Sequence, residues 1–163
     1  MMGTLVAMFL YLALLPASAE MPLLPDDATP GAINPAVTQE NIDQTICQHG
    51  WAETVRPPSS FTGSIKRHLL AQYLLPDPKV FELDHRVPIE VGGCPDCKNN
   101  LWLQRWSNPS HHHCNPALMD AACKDRLENF VHKQVCTGQM TLAEGQSVFL
   151  GDWIAAYQKL FQQ

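Results

Sequence analysis

The chain has 163 residues, with 11 Lys and Arg against 16 Asp and Glu, for a formal net charge of -5. At 45% apolar and 17% charged residues it has the material for one domain with a hydrophobic core, which excludes wholesale disorder. The acidic balance also excludes a basic nucleic-acid coat protein or a polybasic membrane binder, but not an enzyme that needs only a local basic groove.

Residues 5–15 form an uncharged apolar run followed by Pro16 and Ala17-Ser18-Ala19. This is the h-region and small-x-small exit of a secretory signal peptide, too short to span a bilayer. Cleavage after Ala19 is expected, giving a periplasmic or secreted chain without stable membrane association. Residues 20–35 carry Pro22, Pro25, Pro30 and Pro35 and no base. The organisation read from this is a signal peptide over 1–19, an extended, poorly ordered leader over 20–37, and a single domain over 38–163. The acidic excess lies in the stretch 20–43; from Gln44 onward acids and bases are equal at 11 each.

Within the domain, Thr38 caps a short helix expected over 38–47, and Arg56-Pro57-Pro58 makes 51–60 irregular. Ile65, Leu69, Leu70 and Tyr73 recur at helical spacing over 64–74, and Pro76 and Pro78 stop that helix. Residues 80–83 and 87–91 read as short extended pieces, Gly92-Gly93 as a break, and 101–103 as another extended piece. A polar loop over 105–114 leads to a helix opened by Pro116, with Leu118, Leu127, Val131 and Val135 toward the core and Gly138 as its C-cap. Thr141-Leu142-Ala143-Glu144 is a capping box, and Gly151 divides the last helical region before Trp153, Ile154, Tyr157 and Leu160 pack down.

All six cysteines, Cys47, Cys94, Cys97, Cys114, Cys123 and Cys136, follow the signal segment. An even count in an exported chain points to disulfides, and pairing Cys47 with Cys136 would close a long loop around the other four. The pairing among those four stays open. A zinc site is the weaker reading of them, because Cys94-Pro95-Asp96-Cys97 lacks a second hairpin of similar spacing.

The chemistry-bearing stretch is Phe81-Glu82-Leu83-Asp84-His85-Arg86-Val87-Pro88-Ile89, then Gly92-Gly93, Asn100-Leu101-Trp102, and a helix with Lys124-Asp125-Arg126-Leu127-Glu128-Asn129 and His132. An adjacent Asp-His pair on an extended strand projects its two groups in different directions, one toward a metal and one toward an attacking water. Asp125, Glu128 and His132 share one helix face.

In this order the segments resemble the HNH, or ββα-metal, endonuclease superfamily, and in particular its small exported bacterial members with a DH, P, GG, NLW core. The resemblance covers roughly residues 46–157. It implies an α+β fold in which a short antiparallel hairpin plus a helix, the ββα-metal core, is embedded in further helices and stapled by disulfides. It implies His85 as general base, Asp84 as a ligand to a divalent metal, and Asn100 as the residue that holds the ββα loop. Glu128 is the first choice for a helix ligand and Asp125 the second. Oxygen donors favour Mg²⁺, with Zn²⁺, Mn²⁺ or Ni²⁺ as alternatives, of which zinc or nickel would give His132 more weight. The substrate implied is nucleic acid, DNA before RNA, with Arg56, Lys66, Arg67, Arg86, Lys98, Arg105 and Lys124 as phosphate contacts. The chain departs from the family pattern at Leu103, where Pro is usual, and in the extra loop over 105–114.

Other readings stand beside these. The chain could be a disulfide-rich secreted binding module without turnover, or a periplasmic metal binder using His111-His112-His113 and the cysteines. Trp102, Trp106 and Trp153 read as core before base-stacking platforms.

Overall fold

The computed structural model describes residues 24–75, 78–108, 110 and 113–162. The segment expected as a signal peptide, Pro76 and two residues of the histidine run, His111 and His112, lie outside these, while His113 is exposed. No described helix is long and apolar enough to cross a membrane. The architecture is mixed α+β, with one two-stranded antiparallel hairpin among helices.

The first turn, Gln39–Gln44, is a 3-10 helix, tighter and shorter than the helix expected over 38–47. Helix α1, Trp51–Val55, forms where an irregular stretch was expected. Gly50 at φ 80° turns the chain into it, and Arg56 leaves it in extended conformation because Pro57 disfavours a helical residue before it. Helix α2, Ser59–Gln72, starts directly after Pro58, five residues before the apolar spacing begins. Its Leu70 packs with Phe81 and Leu103 of the hairpin, so α2 covers one face of the sheet.

Strand β1, Phe81–His85, pairs with β2, Leu101–Arg105, in a register that sets Glu82 opposite Gln104, Asp84 opposite Trp102 and His85 opposite Leu101. The extended piece expected over 87–91 is instead a 3-10 turn, Ile89–Val91. Pro88 has no N–H to give a ladder, and Gly92 at φ 77° turns the chain back. Gly93 then donates its N–H to the Pro88 carbonyl at 2.8 Å. A Cβ on Gly93 would strike the Val87 carbonyl, so only glycine lets this loop close on itself.

Helix α3, Ala121–Cys136, begins five residues after Pro116. Met119 at φ 46° breaks the path, and Asp120 then caps the helix by accepting from the Cys123 N–H. Leu118, expected in the core, is 52% exposed as a result. Gly138 at φ 69° follows the helix end as expected. Helices α4, Leu142–Leu150, and α5, Trp153–Phe161, are capped by Thr141 with Glu144 and by Asp152, with Gly151 between them. Leu127, Val131 and Val135 of α3 meet Phe149, Trp153 and Tyr157 in the main core. Leu160, also expected to pack down, is exposed. The three tryptophans Trp102, Trp106 and Trp153 are buried, as core residues rather than stacking platforms.

Three cysteine pairs lie at disulfide distance: Cys47 with Cys136, Cys94 with Cys97, and Cys114 with Cys123, with Cα separations of 5.5, 5.6 and 4.3 Å. The first ties the chain before α1 to the end of α3 across 89 residues. In the chain-entropy account such a loop contributes about 4–5 kcal/mol. The described groups of metal-type donors each contain one of these pairs (Cys47 and Cys136 with His132, Cys94 and Cys97 with Asp96, Cys114 and Cys123 with Asp120), so the oxidised sulfurs are committed to one another.

The leader departs most from expectation. From Leu24 onward it is built into the domain, and Thr29 is buried. Gly31 donates to the Asn99 carbonyl, Cys94 donates to the Ala32 carbonyl, and Ile33 bridges Gly93. Backbone hydrogen bonding, which composition does not report, ties this segment to the loop beside His85.

Candidate active site

The end of β1, the turn Ile89–Val91 and the exposed side of α3 enclose a cleft of about 340 Å³. Glu82, Asp84 and His85 line it from β1, and Asp125, Glu128, Asn129 and His132 from α3, with Arg56 and Glu90 also at its wall. The base and metal ligands expected for the nuclease reading, His85, Asp84, Asp125, Glu128 and His132, are therefore brought to one place, and among the described residues neither His113 of the histidine run nor the cysteines line it.

His85 is 6% exposed, and its Nε2 lies 2.9 Å from the Pro95 carbonyl oxygen. A carbonyl only accepts, so Nε2 carries the proton and Nδ1 keeps the lone pair. Burial pushes the imidazole below its usual range, against the opposing pull of the Pro95 carbonyl and the Asp84 carboxylate. The ring is thus held neutral, in one tautomer, with a basic nitrogen.

Asn100 is wholly buried and fully bonded. Its Oδ1 accepts from Val87 N at 2.9 Å and Ala32 N at 3.2 Å, while Nδ2 donates to the Val87 and Cys94 carbonyls at 3.0 and 2.9 Å. One side chain thereby clips both ends of the loop between the strands to the incoming leader.

Lys124 corrects a sequence expectation. The sequence points to a phosphate contact here, but the Lys124 side chain is 0% exposed. Its Nζ donates to Asp84 Oδ2 at 2.6 Å, to the His85 carbonyl at 2.7 Å and to Glu128 Oε1. All three ammonium protons are committed inside the protein. Burial alone would lower this amine, but the Asp84 and Glu128 carboxylates outweigh it and raise it. Asp84 Oδ1 meanwhile accepts from the His85 N–H at 2.7 Å, which fixes the turn from carboxylate to imidazole.

Arg86 is likewise not free to meet phosphate. Its guanidinium donates to the carbonyls of Thr29, Phe149 and Leu150, joining leader, β1 end and α4. Lys66 and Arg67 lie on α2, Lys98 on the turn before β2 and Arg105 at the strand's far end, and none lines the cleft. Of the basic residues proposed for substrate, only Arg56 is an exposed cation at the cleft, 3.3 Å from Glu90. His132 lines the cleft too, with Nε2 2.9 Å from the Ile46 carbonyl oxygen. Glu128 is paired with Lys124 one turn before it rather than with His132 one turn after.

Glu82 is the cleft residue that the sequence reading passed over. Residues i and i+2 of a strand share a face, so Glu82 stands beside Asp84, and that alternation was the available signal. Its Oε1 is buried with no hydrogen-bond partner among the described residues. Burial first, and then the Asp84 and Asp125 carboxylates, push Glu82 well above the usual range, and burial does the same to Glu128 against the pull of Lys124. Asp84 and Glu128 share the buried Lys124 ammonium, and Glu82 and Asp125 line the same cleft. An unmatched oxygen and an excess of hard carboxylate donors suit a divalent cation.

No family model, curated protein or solved structure matches the chain.

Proposed function

We propose that the protein is an exported, metal-dependent HNH-type endonuclease that hydrolyses phosphodiester bonds in DNA, and in RNA as the second substrate. The observation that carries this reading is the orientation of His85, pinned through Nε2 to the Pro95 carbonyl on the rim of a carboxylate-lined cleft.

His85 Nδ1 accepts a proton from water, and the resulting hydroxide attacks the phosphorus in line with the leaving 3′-oxygen. Positioned general-base catalysis of this kind is typically worth about 10²–10⁴-fold. Asp84 and Glu128, with Asp125 and His132 beside them, would hold the divalent ion, Mg²⁺ by the chemistry of the donors. When bound, that ion supplies charge stabilisation for the phosphate and the departing oxygen. Lys124 keeps Asp84 and Glu128 together from behind, and Arg56 meets a phosphate of the substrate backbone at the rim. A bound cation would offset the charge of these carboxylates where a polyanionic substrate approaches them.

The disulfides agree with an oxidising, extracellular setting. The decisive experiment is plasmid nicking with purified protein. Cleavage is expected with Mg²⁺, abolished by EDTA, and absent from a folded His85→Ala variant. If the wild type cuts neither DNA nor RNA with Mg²⁺, Mn²⁺, Ca²⁺ or Zn²⁺, the reading is wrong, and binding without cutting would make it a nucleic-acid-binding module.

A further inference from the structure

The Cys94–Cys97 bridge closes a loop of four residues, and the second of them, Pro95, supplies the carbonyl that accepts from His85 Nε2. The ends of the loop are tied elsewhere: Cys94 donates to the Ala32 carbonyl at 2.8 Å, its own carbonyl accepts from Asn100 Nδ2, and the Cys97 carbonyl accepts from Asn100 N at 2.9 Å. Pro95 has no N–H with which to anchor itself. Asp96, which follows, is exposed. The direction of the Pro95 carbonyl is thus set by the two ends of its loop, Cys94 and Cys97, whose Cα atoms the bridge holds 5.6 Å apart.

The bridge has little else to do. Closing so short a loop restricts the unfolded chain far less than closing the 89-residue loop of Cys47–Cys136. Its effect is local, and what is local to it is the His85 ring.

We infer that the Cys94–Cys97 disulfide is a positioning element for His85: oxidised, it holds the Pro95 carbonyl on Nε2 and so fixes the ring and its tautomer, and reduced, it releases both. A dithiol reductant opens it in two exchanges. One thiolate attacks Cys97 Sγ, since Cys94 is only 6% exposed, and Cys94 leaves as thiolate. The second reductant thiolate then displaces Cys97, the reductant ends as its own disulfide, and both protein thiolates take up protons. The significance for turnover rests on the nuclease reading above, whereas the coupling between bridge and ring does not.

The test uses the full mature chain in two forms, a Cys94→Ser/Cys97→Ser variant and wild type treated with a mild dithiol until alkylation mapping shows only Cys94 and Cys97 modified. Histidine-ring ¹H–¹⁵N NMR is read in both, together with nicking kinetics. The expected result is loss of the fixed Nε2–H tautomer of His85, and a fall in kcat of about 10–100-fold, a partial loss of the roughly 10²–10⁴-fold that general-base catalysis supplies, at unchanged KM. Reduced but unalkylated wild type recovers both on reoxidation. His85 ring signals that stay unchanged in both forms overturn the inference, whatever the activity does. Ring signals that change in a protein that cuts no nucleic acid uphold the coupling and overturn only the nuclease reading.

Discussion

Lys124 and Asp84 form an ion pair inside the protein, with Nζ 2.6 Å from Oδ2 and the lysine side chain wholly buried. Glu128, one turn further along α3, is held by the same ammonium. Removing this cation leaves two carboxylates facing each other without compensation, and the loss of one partner of a buried pair costs about 3–5 kcal/mol. Lys124→Met is expected to lower stability by that amount in urea denaturation, and Lys124→Met/Glu128→Gln to recover part of it. A loss below about 1 kcal/mol would place the pair among exposed ones.

Asn100→Ala is expected to be among the most damaging single substitutions outside the core. It strands two N–H groups and two carbonyls around a buried site. Each unsatisfied group costs about 1–3 kcal/mol, less where water enters, so a total of about 3 kcal/mol or more is expected. Faster amide exchange at Val87 and Ala32 than at β2 would locate the damage. Unchanged exchange at those two amides would contradict it.

Divalent cation should stabilise the folded chain independently of any turnover, because binding to the native state alone raises its stability. Millimolar Mg²⁺ is expected to raise the unfolding midpoint, and Glu128→Gln to reduce the rise. A midpoint indifferent to Mg²⁺, Mn²⁺ and Zn²⁺ alike would argue that protons and Lys124 already satisfy the cleft.

Arg56 carries the phosphate contact of the proposed complex. Its pair with Glu90 is surface-exposed, with Arg56 51% and Glu90 35% accessible, so Arg56→Ala is expected to leave the unfolding midpoint nearly unchanged. Binding to DNA should weaken, and the slope of log K against log salt should become shallower by about 0.9, one phosphate contact. An unaltered slope would remove Arg56 from the interface.

Tyr73 gives a pH-dependent prediction away from the site. Its hydroxyl donates to Asp26 Oδ2 at 2.6 Å, and that bond, with burial and the nearby carboxylate charge, raises the phenol above its usual value. The neutral phenol is therefore favoured by folding. Its contribution is complete below the ordinary tyrosine pKa of about 10 and is lost as pH climbs through the higher folded value. Thermal midpoints of wild type and Tyr73→Phe measured from pH 8 to 11 should converge as pH rises, and parallel curves would show that Asp26 is not its partner.

The parts legible in the sequence are those fixed by local chemistry. The Thr141 and Glu144 capping box, the Gly138 turn and the apolar spacing of Leu127, Val131 and Val135 each stand as read. The Asp84-His85 pair and the α3 face also converge on one cleft, and Cys47 meets Cys136. What escaped depends on contacts between distant segments. Lys124 looked like a surface base because nothing in its neighbours says that Asp84, 40 residues earlier, turns toward it. The stretch from Leu24 to Val37 looked like a tether because proline content does not report the backbone bonds that Asn99 and Cys94 supply. Residues 87–91 looked like a strand because their β-branched side chains outweighed the single proline that prevents it.

The Cys47–Cys136 bridge has a consequence for how the protein withstands other enzymes. The polar loop from Arg105 toward Cys114 has Asn108, Ser110 and His113 exposed, and exposed polar loop residues are the kind proteases cut. A nick there would divide the chain between β2 and α3, severing the peptide path from His85 to Glu128. The two pieces would remain one covalent molecule, since Cys47 lies on the first and Cys136 on the second. A nicked preparation should therefore run as a single band on a non-reducing gel and as two after reduction, with both walls of the cleft still tethered to each other.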